Sequence, residues 1–145
     1  MKRINLSEIE NIPETCKTLK VYSSKILPPK GYAAITLHPF IIVRGSEQYV
    51  KELIKSDWGK IMLNHERIHE LQVSDLGIIK FYALYIYYYL VCLFKCADSQ
   101  TAYYNIPFER EAYKNETDYN YSQSKWYCYV DDAKQLNNNE LRNMA

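Results

Sequence analysis

The spacing of apolar positions changes character near residue 46. Before it, the chain reads as strands. Residues 18–22 (Thr-Leu-Lys-Val-Tyr) alternate with a period of two. Pro28-Pro29-Lys30-Gly31 is a turn signal. Residues 32–37 and 40–44 are rich in β-branched and aromatic side chains and predict two strands, or one strand bent at His38-Pro39. Pro39 has no N–H to give to a ladder, so an edge or a bulge is expected there. His38 reads as an ordinary strand residue.

From residue 46 the period becomes helical. Ser46 is an N-cap for a helix reaching Lys55, and Ser56-Asp57 offers a second cap. The next helix spans about residues 58–72, with Ile61, Ile68 and Leu71 on its core side. Ser74-Asp75 breaks it, and a further helix follows over residues 77–94. Residues 81–94 carry no charge and include five tyrosines. As a helix these residues span about 21 Å, short of a hydrocarbon core of about 30 Å. A buried central helix is the expectation, with membrane-surface contact as the other use of such a face. Residues 97–101 read as a loop. Asn105 as N-cap and Pro107 in the first turn predict a helix over about 106–116. Residues 119–130 are aromatic and predict a last helix. Residues 1–17 are polar and read as a short helix or an arm, and 135–145 as a polar tail. The expected fold is α+β: a single domain over residues 1–145, mainly helical, with a small antiparallel sheet.

A chain of 145 residues is long enough for one real core. Its formal charge of +1 gives no case for nucleic acid, which wants a basic face. Fifteen tyrosines suit a core with polar edges. Cys16, Cys92, Cys96 and Cys128 form no C-x-x-C pair and read as free, buried thiols. Cys92 and Cys96 have a spacing that would allow metal binding, and Cys16 could cap a metal. No apolar stretch follows Met1-Lys2-Arg3, so a reduced, cytoplasmic protein is expected.

The chemistry concentrates in Asn64-His65-Glu66-Arg67-Ile68-His69-Glu70-Leu71-Gln72. Two of the chain's three histidines stand here, in the pattern H-E-x-x-H. On a helix His65 and His69 share one face and can both reach one metal ion. Zinc suits two imidazoles and prefers four ligands. Glu66 borders the pair without sharing its face, as a general base would. Gln72 lies on the metal side, either supporting the site or bonding another helix. Downstream, Glu109, Ala112 and Tyr113 share one face of the helix expected there, and Glu111 points away. Ala112 lets that helix approach another closely. Glu109 could equally serve the helix dipole in the first turn.

H-E-x-x-H followed by E-x-x-A resembles the gluzincin branch of the zincin metallopeptidases, and the chain's length is similar to that of the minigluzincins. The string IPFEREAY is also similar to small bacterial H-E-x-x-H proteins. The resemblance covers about residues 46–115. It implies zinc as cofactor, His65, His69 and Glu109 as ligands, Glu66 as catalytic base, and a peptide or protein substrate. Many gluzincins carry an Asp directly after the Ala, orienting a ligand histidine; this chain has Tyr113 there. Tyr113 is therefore expected to support a ligand or the transition state. Glu111 and Glu70 are the competing acids. Ala112 favours Glu109, because the small residue should lie where two helices touch. The alternatives to a peptidase are a non-catalytic protein of the same fold, and a partner- or membrane-surface-binding module using the Tyr-rich helix 81–94.

Overall fold

A computed structural model describes residues 1–96 and 98–130. Within them lie strands β1 (Lys2–Ile4), β2 (Val21–Ser24), β3 (Ala34–Leu37) and β4 (Phe40–Arg44). Helices α1 (Glu47–Lys55), α2 (Asp57–Leu76), α3 (Ile78–Lys95), α4 (Ser99–Tyr104) and α5 (Pro107–Asn115) follow. Short 3-10 turns occupy Leu6–Glu8, Glu14–Cys16 and Trp126–Tyr129. The class is α+β. The chain divides into two compact units. One comprises Met1–Glu70 and Glu116–Tyr121; the other comprises Leu71–Asn115 and the chain from Ser122.

The first unit is built on a sheet of order β1-β2-β4-β3. β1 and β2 are antiparallel, β2 and β4 parallel, and β3 and β4 antiparallel. The sheet is thus mixed, not antiparallel as expected. β4 enters between β2 and β3, which forces it to run alongside β2. Its Ile41-Ile42-Val43 is buried throughout, as an apolar β-branched run on a central strand should be. His38-Pro39 forms the two-residue turn between β3 and β4, at the register Leu37↔Phe40. Residues 1–17 are not an arm. β1 pairs with β2, and Ile4, Leu6, Ile9, Ile12 and Cys16 join the core against Val50 and Ile54 of α1. Cys16 is fully buried there, packed among aliphatic side chains.

α1 ends where α2 begins, and the corner is tight. Ser56 closes α1 and its Oγ accepts from the Gly59 N–H at 3.0 Å. A Cβ on Gly59 would stand 2.0 Å from the carbonyl oxygen of Leu53. Only glycine lets the two helices turn so closely.

In the second unit Phe108 is the hub. Its ring lies 5.0 Å from Phe81 and 4.9 Å from Trp126, centroid to centroid, with Tyr85 and Tyr88 also against it. The tyrosines of α3 are therefore partly core, as their number predicts. α3 is not buried all round, however: only Phe81 and Cys92 of its residues are buried. Two further expectations change. Residues 99–104 are helical, so Asn105 closes α4 and its Nδ2 donates to the Thr101 carbonyl at 2.9 Å, instead of opening α5. Residues 119–130 form turns and one 3-10 segment, not a helix. The expected polar tail, 135–145, lies outside the described residues.

Two outcomes test this packing. Gly59→Ala should destabilise the fold by about 2–3 kcal/mol through overpacking, read as a lower melting temperature. Burial pushes the Cys92 thiol up to about 11 and raises Cys16 as well. A thiol reagent at mildly alkaline pH should therefore modify exposed Cys128 rapidly and spare Cys16 and Cys92 until the chain unfolds.

Candidate metal centre

Residues 62–69 of α2 are all buried, polar ones included. Leaving a buried polar group without a partner costs about 1–3 kcal/mol. The first unit supplies partners for them in turn. Asn64 Nδ2 donates to the carbonyls of Glu116 and Asp118 at 2.8 and 3.0 Å. Arg67 donates to the Tyr121 carbonyl at 2.6 Å and to Asn64 Oδ1 at 2.8 Å. Both side chains thus grip the segment that follows α5 and fix residues 116–121 along α2.

That grip delivers Glu116 to the first histidine. Glu116 Oε2 lies 3.0 Å from His65 Nδ1. A carboxylate only accepts, so Nδ1 carries the proton, and in the neutral ring the lone pair is on Nε2. His65 Nε2 faces His69 Nε2 at 3.2 Å, and both rings are buried. The pair fits a tetrahedral ion. Two nitrogens each about 2.0–2.1 Å from zinc stand about 3.3 Å apart along a tetrahedral edge. The carboxylate behind His65 is the support a metal-bound histidine ordinarily has. At His65 the residue that bonds the imidazole N–H is thus Glu116, and not the Tyr113 that the sequence suggests.

Glu66 points elsewhere, as its position between the histidines predicts. Its Oε2 accepts from Thr36 Oγ1 on edge strand β3 at 2.6 Å. Glu70 is held by the third histidine: His38 Nδ1 lies 2.7 Å from Glu70 Oε2. His38 is thus tied to α2 instead of being an ordinary strand residue.

In the second unit Glu109 sits in the first turn of α5 and is 2% exposed. Its Oε1 accepts from the Tyr85 hydroxyl of α3 at 2.6 Å. Glu111 is buried as well, so the two acids do not divide into one inside and one in solvent. Glu111 Oε2 accepts from Gln72 Nε2 at 2.8 Å and from Ser124 Oγ at 2.9 Å, and Oε1 accepts from the Lys125 N–H. Gln72 also donates to the Phe108 carbonyl at 2.9 Å, so its observed work is holding one helix to another. Ala112 is fully buried. The ring of Tyr113 packs on Tyr104, 5.3 Å between centroids. Cys92 is buried, and Cys96 Sγ accepts from Asn105 Nδ2 at 3.7 Å.

The contacts of Thr36 with Glu66, of Glu116 with His65 and of Tyr85 with Glu109 are the ones that sequence reasoning misses. Spacing along one helix finds the histidine pair, whereas each of these contacts joins residues far apart in the chain. Comparison with family models, with curated proteins and with solved structures gives no match for this chain.

Glu116→Gln removes the charge behind His65 while keeping the side-chain shape. If the imidazole pair holds a zinc ion, the substitution should weaken its binding by roughly 10–100-fold, measured by competition with a chromogenic chelator, with little change in melting temperature. Unchanged affinity would mean that Glu116 does not support a ligand.

Proposed function

We propose that the protein is a zinc-dependent peptide hydrolase, with His65, His69 and Glu109 as ligands and Glu66 as general base. The observation that carries this reading is the donor set. All three residues are buried, and the Nε2 atoms of His65 and His69 stand 3.2 Å apart. Two imidazoles and one carboxylate is the donor composition of a catalytic zinc site, whereas structural sites are closed by four protein ligands.

When bound, zinc lowers the pKa of a water to about 7 and polarises a carbonyl oxygen. The protein's own groups supply the rest. Glu116 holds His65 in the tautomer that presents Nε2. Tyr85 occupies one oxygen of Glu109, which fixes the rotamer of that carboxylate. Thr36 fixes Glu66 in the same way. Glu66 takes the proton of the attacking water and later gives it to the leaving amine. Peptide as substrate class rests on the resemblance of H-E-x-x-H with E-x-x-A to the gluzincins. Packing on Tyr104 is the observed work of Tyr113, so no proton transfer is assigned to it.

Two measurements test the reading together. The purified protein should bind one zinc per chain by metal analysis, and Glu109→Ala should lower that occupancy. With a cleaved peptide in hand, Glu66→Gln should keep the zinc and lose about 10²–10⁴-fold in rate, because an amide cannot take the proton. A chain that binds no zinc, or a Glu66→Gln variant that cleaves at the native rate, would overturn it.

A further inference from the structure

Helix α3 has two apolar faces, and among the described residues the second unit packs on only one. Phe81, Tyr85 and Tyr88 pack on Phe108, with Tyr88 also against Trp126. On the other side Ile79 is 87% exposed, Ile86 59%, Leu90 47% and Phe94 90%. Tyr87 and Leu93 complete this face. Positions 79, 83, 86, 90 and 93 repeat at intervals of four and three, which is one continuous stripe along the helix. The stripe is as long as the helix, about 27 Å for eighteen residues. An apolar surface of this extent marks a binding face.

Charge decides what covers it. The chain has no Asp or Glu from residue 76 to residue 97, while exposed Lys80 and Lys95 bound the stripe. A second copy of this helix fits that arrangement poorly. In an antiparallel pair Lys80 of one copy comes alongside Lys95 of the other, and in a parallel pair each lysine meets its counterpart. An anionic lipid surface fits it well. The stripe enters the acyl boundary, and the two ammonium groups reach headgroup phosphates at either end. Tyr87 lies on the stripe, and tyrosine favours the membrane–water boundary.

By length and composition alone α3 could also cross a membrane. Its inner face argues against that. Phe81, Tyr85 and Tyr88 are engaged by Phe108 and Trp126, and the α5 that carries Phe108 also carries buried Arg110 and Glu111. A spanning α3 would have to take those charged groups with it or strip its aromatic face. We infer that α3 lies flat on an anionic membrane surface through the face containing Ile79, Ile86, Leu90 and Phe94. This inference does not depend on the metal site.

The test is co-sedimentation of the full chain with vesicles of phosphatidylcholine alone and of phosphatidylcholine mixed with phosphatidylserine. Binding is expected to the mixed vesicles and to weaken as salt is raised. Leu90→Glu should weaken it by about tenfold or more, since an exposed leucine loses its place in the acyl boundary. Lys80→Gln and Lys95→Gln should each weaken it by about fivefold and flatten the salt dependence. Phe94→Ser, at the far end of the stripe, is a second variant should Leu90→Glu fail to fold by circular dichroism. The inference is overturned if the chain stays in the supernatant with both vesicles. Native-like binding by folded Leu90→Glu or Phe94→Ser overturns it too. So does a dimer in sedimentation velocity that Leu90→Glu converts to monomer while the chain ignores vesicles.

Discussion

The structure depends on one constraint: helix α2 carries polar side chains into the interior and must find a partner for each. Asn64, His65, Glu66, Arg67, His69 and Gln72 are all buried. An apolar helix of the same shape would be simpler to bury. The partners then dictate the surroundings. Thr36 must stand on β3 opposite Glu66, and residues 116–121 must return to α2 for Asn64 and Arg67.

The return of 116–121 links fold to chemistry. Asn64 and Arg67 bind backbone carbonyls of that segment, so they fix its path whatever its side chains are. Once the path is fixed, Glu116 arrives at His65 Nδ1 with its carboxylate already placed. The histidine is thereby held with its Nδ1 proton directed at Glu116, and its ring orientation is fixed.

Legibility followed sequence distance. His65 and His69 are four residues apart, and helical geometry alone puts their rings together. Helices α1, α2, α3 and α5 are visible from period and end signals, whereas the pattern at His38-Pro39 leaves two strands and one bent strand equally open, and the structure makes it a hairpin. β1 is not visible, because three residues give too few positions to show an alternation. The apolar residues at 4, 6, 9 and 12 were a usable signal that the N-terminal segment is core, outweighed by the polar residues between them. The parallel pairing of β2 with β4 depends on which strand enters the middle, which local pattern does not encode. Glu116 was hidden for the same reason: its contact with His65 bridges 51 positions and rests on backbone acceptors that any residue type provides.

The two acids of α5 show how partners separate roles that composition leaves equal. Glu109 and Glu111 are both buried, two residues apart, on one short helix. Burial alone would make either a ligand. Glu111 Oε2 accepts from Gln72 and Ser124, and its Oε1 accepts from the Lys125 N–H, so both oxygens are engaged by protein donors. A carboxylate satisfied in this way is held by the fold and has little to gain from a cation. It ties α5 to the end of α2 and to the chain at 124–125. The turn of about 200° that separates the two residues on a helix sends Glu109 elsewhere, toward the Tyr85 hydroxyl. The phenol, on α3, orients one oxygen of that carboxylate. The two acids therefore do different structural work: Glu111 joins α5 to the end of α2 and to residues 124–125, and Glu109 joins α5 to α3.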